Sequence, residues 1–245
     1  LRLDLRKLLA TYYECTDHKE KKVLRKKITD NVKQQLLEQG ITVNFGDIDL
    51  AGNDQFMLWH TWFYDVFSQG GFDIVIGNPP YLFLSGKGSP VKRLEKEGKI
   101  EEAQELRIIL DTYGKAHKDV SSGCRDFYKW FYKVAIDICK KGGVQSYITP
   151  DTFLSMPKYT DLRQLLFIHR AYIFIDLGFS VFEAPTVSSA IGIIRKDYSI
   201  TSQTYYADIR ANLNKYNRDK ITDIVNETSQ IVSVNKNNLC AYKNP

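Results

Sequence analysis

Phe72-Asp73-Ile74-Val75-Ile76-Gly77-Asn78-Pro79-Pro80-Tyr81 opens as a short apolar run and closes as a turn. Gly70-Gly71 precedes it, so the apolar run is bounded by glycines on both sides. That is the pattern of a buried strand over 72–76. Pro79 and Pro80 then forbid both helix and ladder pairing. The strand must end at Asn78, and the tetrapeptide Asn78-Pro79-Pro80-Tyr81 must lie just past its carboxyl end.

Downstream, helical and strand signals alternate. Residues 84–90 read as a flexible loop and 91–110 as a charged, mostly wet helix. Phe127, Trp130, Phe131, Val134, Ala135 and Ile138 give an apolar helix over 126–139, with Lys140-Lys141-Gly142-Gly143 as its stop. Strands are expected at 144–148, 171–177 and 188–194, with a helix at 159–168 and a turn at 182–185. The first three strands are expected to be parallel and the last antiparallel to its neighbour. Beyond Tyr198 the chain has short β-like stretches. Upstream, Leu5, Leu8, Leu9 and Tyr12, then Leu24, Ile28, Val32 and Leu36, recur at helical spacing. They predict a helical pair broken near 16–20 and stopped at Gly40. The aromatics from Phe56 to Phe67 read as a loop-and-turn segment plugging the edge of a core. The sum is an α/β sheet with flanking helices and an N-terminal helical pair. In such sheets ligands bind outside the carboxyl ends of strands, which is where Asn78 to Tyr81 fall.

Composition excludes several classes. In 245 residues, 43% are apolar and 26% charged, as in ordinary globular proteins. No run of about 18 apolar residues exists, which excludes a membrane-spanning helix. The start, Leu1-Arg2-Leu3-Asp4-Leu5, carries charges that a signal peptide lacks. Cys15, Cys124, Cys139 and Cys240 lie far apart with no CxxC pair, so free thiols and a cytoplasmic location are expected. His18, His60, His117 and His169 share no metal-ligand spacing. The net charge of +5 sits at the ends: ten Lys/Arg against six Asp/Glu over 1–40, and seven against five over 196–245. Basic flanks suit a polyanionic partner, although solvated helix faces produce the same pattern.

The tetrapeptide carries the chemistry. Two prolines remove two backbone donors and leave carbonyl oxygens for other partners, and Asn78 adds a side-chain carbonyl. An NH2 group donating to two such acceptors has its nitrogen lone pair turned out of conjugation, toward an electrophile. Tyr81 adds a flat face for a planar substrate.

Phe72 to Tyr81 resembles the catalytic motif of N6-adenine DNA methyltransferases, and most of all the large restriction-modification methylases of type IIG kind. Trp59 to Phe67, Asp126-Phe127-Tyr128 to Phe131, Gly142 to Phe153, and Val181-Phe182-Glu183-Ala184-Pro185 through Ile194 extend the resemblance over about 56–197. It implies a partial Rossmann-like, S-adenosylmethionine-dependent sheet acting on double-stranded DNA. Asn78 and the Pro79 carbonyl would accept from the adenine N6 amino group, with Pro80 fixing the turn. Tyr81 and Phe182 would sandwich the flipped base. Phe131, and Asn78 again, would border the cofactor. No metal is implied, and Asp73 reads as a structural polar residue of the strand. The family's Gly-rich cofactor turn, with its acidic residue, has no counterpart before Asn78. The expectation is therefore the back part of a larger methylase, inactive alone. Its layout would be a helical region over 1–55, the catalytic part over 56–197, and a linker or the start of a target-recognition region over 198–245. A nuclease and a target-recognition domain would be further parts of the parent. Residues 84–125 would be a mobile loop near DNA. Two other readings stay open: methylation of a glutamine amide or an RNA exocyclic amine, and a non-catalytic DNA-binding fragment.

Overall fold

A computed structural model describes residues 2–38, 59–86, 88–179, 181–182, 187–198, 203–214 and 216–233. The expectations at Gly40, Phe56, Glu183, Ala184, Pro185 and Cys240 fall outside the described residues. The chain divides into two compact units, Leu1–Gln69 and Gly70–Pro245. The boundary expected at 55/56 rested on motifs, whereas contacts divide the chain after Gln69.

In the first unit, helices α1 (Arg2–Glu14) and α2 (His18–Glu38) form the expected pair. The break is set by Asp17, whose carboxylate accepts from the backbone N–H groups of Lys19 and Glu20 at 2.9 and 2.8 Å and so caps α2. Leu5, Leu9, Ile28 and Val32 bury against one another around Trp62. Trp62 also meets Tyr12 and Tyr13 edge-on, at 5.4 and 5.9 Å. The aromatic segment is thus helical where described, as α3 (Trp59–Trp62) and α4 (Tyr64–Ser68), and not a plain loop.

The second unit is a six-stranded sheet: β1 (Phe72–Gly77), β2 (Cys139–Pro150), β3 (Arg170–Gly178), β4 (Ser189–Arg195), β5 (Gln203–Asp208) and β6 (Gln230–Ser233). Their spatial order is β1-β2-β4-β3-β5-β6. β1 pairs parallel with β2, and β3 parallel with β5. β4 runs antiparallel between β2 and β3. The carboxyl ends of β1, β2, β3 and β5 therefore open on one edge.

β2 starts five residues earlier than the sequence indicates. Cys139 is extended immediately after helix α7 (Phe127–Ile138), so Lys140 to Gly143 belong to the strand. Lys196 ends α7 by donating from Nζ to the Asp137 and Cys139 carbonyls, at 3.1 and 2.7 Å. Gly143 is required because a Cβ there would stand 2.7 Å from the Phe72 carbonyl oxygen.

One face of the sheet is covered by α7, α8 (Thr152–Ser155) and α9 (Thr160–Ile168) over a core that includes Tyr128, Tyr132, Tyr147, Phe153, Leu162 and Leu166. The opposite face is covered near β3 and β5, where helix α10 (Ile221–Thr228) sets Ile221, Ile224 and Val225 against Leu177, Ala207 and Ile209. The strand expected over 72–76 is present but not buried: β1 stands at the edge of the described sheet, and Ile74 and Ile76 are 68% and 79% exposed. Asp73 pairs with Lys140, which holds its carboxyl below the usual range.

Residues 84–125 are not a bare loop. They fold into α5 (Pro90–Lys96) and α6 (Ile100–Ala116), separated by Gly98 at φ +76°. Ser89 caps α5 by accepting from Lys92 N at 3.3 Å, with Pro90 at the first helical position. Leu84, Val91, Ala103, Leu110 and Val120 make a separate apolar cluster against Trp130 of α7. This layer gives α7 a second buried side, which explains its nearly continuous apolar sequence. Among the described residues, no helix is long and apolar enough to cross a membrane.

Candidate functional site

The turn Asn78–Tyr81 leaves the sheet at the carboxyl end of β1. Asn78 and Pro80 are exposed, Pro79 is buried, and Tyr81 is half-buried. The Tyr81 hydroxyl donates to the Ile148 carbonyl of β2 at 3.2 Å, so its ring is tied to the neighbouring strand. Burial pushes the Tyr81 phenol pKa up. The Pro80 carbonyl is taken by Leu82 N at 3.1 Å, so the expectation that both proline carbonyls stay open is corrected at Pro80. Among the described residues, no hydrogen bond reaches the Pro79 carbonyl or the Asn78 side-chain amide. Exposed Asn78 and buried Pro79 thus each keep an acceptor without a partner among the described residues.

The chain beyond the turn is rigidly held. Leu84 N donates to the Arg125 carbonyl at 2.9 Å and Phe127 N to the Leu82 carbonyl at 3.0 Å, with Phe83 bridged to Asp126. Segment 122–126 is anchored in turn by Asp161. One carboxylate oxygen of Asp161 accepts from Ser122 N at 3.0 Å, Gly123 N at 3.3 Å, Ser122 Oγ at 3.2 Å and Lys129 Nζ at 2.9 Å. Lys129 is fully buried and also donates to the Cys124 carbonyl at 2.8 Å. Asp126 accepts from the Tyr159 hydroxyl at 2.9 Å, and its other oxygen is buried without a partner. Burial lifts the Asp126 carboxyl to about 6.

Phe182 lies beyond β3, on the same edge as Tyr81. It is 37% exposed, and its carbonyl accepts from Arg218 at 3.1 Å. No ring contact joins Phe182 to Tyr81 among the described residues. Phe131 is partly buried on α7, edge-on to Phe127 at 5.3 Å, and packs against the main core. Sequence reasoning missed Lys129, Asp161, Tyr159 and Lys158. The one available signal, a lysine in the apolar helix α7, concerns Lys129 alone and leaves its partner unidentified.

The fold is a mixed α/β sheet, and its polar, proline-fixed, aromatic-ended turn falls at the strand edge where ligands bind in such folds. More particularly, residues 3–182 match the model of the Eco57I restriction-modification methylase family, and the chain belongs to that family. Three solved structures are similar at low identity. The DrdV–DNA complex is 16% identical, over 73% of this chain and 19% of that one, with a TM-score of 0.48. The ATP-dependent Type ISP restriction-modification enzyme LlaBIII bound to DNA is 18% identical, over 67% and 12%, with a TM-score of 0.47. A modification subunit of a putative type I restriction enzyme from Vibrio vulnificus YJ016 is 13% identical, over 90% and 46%, with a TM-score of 0.46. The chain thus spans less than half the length of each. No curated protein matches the chain.

Proposed function

We propose that this chain is the base-accepting part of a DNA adenine-N6 methyltransferase of a restriction-modification system. Membership in the methylase family supports this reading. The observation that carries it is the pair of open acceptors, the Asn78 amide oxygen and the Pro79 carbonyl, beside the anchored ring of Tyr81. The two acceptors take the two N6 hydrogens of adenine and turn the nitrogen lone pair out of the ring's conjugation. Tyr81 stacks on the extruded base, and Phe182 closes the other side. The sulfur leaves as a neutral thioether, and the extra proton on methylated N6 passes to water, so no dedicated base with a shifted pKa is needed.

S-adenosylmethionine, when bound, supplies an electrophilic methyl group. In this reading two residues would border it. Asn78 is exposed at the end of edge strand β1, and Phe131 offers a ring on α7. Among the described residues, no Gly-rich turn with a carboxylate after it stands beside β1 to complete the site. In this reading the chain acts as part of a methylase working on double-stranded DNA in the cytoplasm.

The test is methyl transfer from labelled S-adenosylmethionine to duplex DNA by the full-length protein. Asn78→Ala is expected to lower the rate at least about 100-fold, on the scale of losing one preorganised acceptor at a reacting group. Label in N6-methyladenine is expected. Full activity in Asn78→Ala, or label only in protein amides or RNA, overturns the reading.

A further inference from the structure

The edge that carries Tyr81 also carries Lys158, in the 3-10 turn Pro157–Tyr159 beyond β2 and α8. Its ammonium lies 4.5 Å from the centre of the Phe83 ring and 5.4 Å from that of Tyr159. No hydrogen bond or ion pair engages that ammonium among the described residues. Neighbouring cations of this unit are committed: Arg125 to Asp111, Lys129 to Asp161, Arg210 to Asp208, and Arg163 to the Phe153 and Met156 carbonyls.

Lys158 is also held in place, unlike an ordinary surface lysine. Its backbone is closed upon by Gly123, where a Cβ would stand only 2.1 Å from the Lys158 carbonyl oxygen. Its neighbour Tyr159 is tied to Asp126, and Asp126 is paired through the backbone with Phe83. Phe83 lies two residues past Tyr81. The cation, its supporting ring and the turn are therefore linked through the Tyr159–Asp126 side-chain hydrogen bond and the Phe83–Asp126 backbone bridge. Stacking on two rings removes much of the side-chain freedom that a lysine otherwise gives up on binding. Phe83 and Met156, 39% and 38% exposed, make the surroundings apolar, which strengthens attraction for an anion.

We propose that Lys158, held over Phe83, is a phosphate-binding subsite that takes a backbone phosphate of the DNA strand next to the nucleotide whose base reaches Tyr81. An ammonium suits a phosphodiester as a single point charge. This subsite deepens the function proposed above and rests on it.

The test is DNA binding by the full-length protein, read by fluorescence anisotropy across a salt series from about 0.05 to 0.3 M. Lys158→Met is expected to weaken binding about 3- to 10-fold at low salt and to flatten the log–log salt slope by about one unit. Lys158→Arg keeps the charge and restores the slope. Phe83→Leu keeps the charge but loosens it, so the slope stays and affinity falls about twofold. Lys141→Met, exposed at the opposite end of β2, changes neither quantity. An unchanged slope in Lys158→Met, or an equal loss in Lys141→Met, overturns the subsite. The two readings fail separately. Activity retained in Asn78→Ala removes the adenine assignment, while the salt slope alone decides the phosphate contact.

Discussion

Asn78–Tyr81 and Ser122–Asp126 are both connections at the carboxyl edge of one sheet, yet they use their polar groups in opposite ways. In the first, an amide and a carbonyl have no partner among the described residues. In the second, the two backbone N–H groups of Ser122 and Gly123 converge with a buried ammonium on Asp161. Backbone hydrogen bonds between 82–84 and 125–127 join the two segments. An open acceptor is useful only if it cannot relax toward a partner of its own. The satisfied segment supplies the stiffness that keeps the unsatisfied one open.

Breaking the satisfied half should have the largest effect. Lys129→Met leaves Asp161 buried without its cation, and urea denaturation should record a loss of about 3–5 kcal/mol. A loss below about 1 kcal/mol would mean that the ion pair is not the anchor. Asp126 sharpens the contrast through pH. Its folded pKa, about 6, lies above the usual 3.8, so the folded state holds the proton more tightly. The stabilisation is complete below about pH 4 and is lost as pH rises through about 6. Asp126→Asn cannot titrate, so its stability relative to the parent should improve by up to about 3 kcal/mol between those limits. Parallel pH profiles for the two proteins would refute the assignment. The open half is probed through Tyr81. Tyr81→Ala should cost about 1–3 kcal/mol of binding to the extruded base, read with a fluorescent adenine analogue. Tyr81→Phe keeps the flat face and loses only the bond to the Ile148 carbonyl, about 1 kcal/mol, so most activity should remain.

The same contrast separates the legible from the illegible in the sequence. β1 and its turn were legible because glycines and prolines punctuate a local apolar run. The four expected strands are all present, with β4 antiparallel as its position implied. The pair Lys129–Asp161 was invisible because its members lie 32 residues apart and only the fold brings them together. β5 and β6 were blurred because both are short and lie at one end of the sheet: β5 buries only scattered positions, and Ile231 and Val232 of β6 stay 58% and 40% exposed. In the insert the wet helix expected over 91–110 is present, split at Gly98 into α5 and α6 and running on to Ala116, with Ile108 and Ile109 67% and 50% exposed; only the mobile loop implied by the resemblance is corrected. Lys158 carried no local signal, since its meaning comes from the Phe83 ring beneath it.

The outer edge of β1 has a practical consequence. Ile74 and Ile76 point away from the main core on a strand that has one neighbour among the described residues, and such an edge is a template for intermolecular β-pairing. Purified as the 245-residue polypeptide, the molecule should self-associate with rising concentration, and light scattering should detect it. A gatekeeper charge, Ile76→Lys, should suppress that association while leaving the far-ultraviolet circular dichroism unchanged.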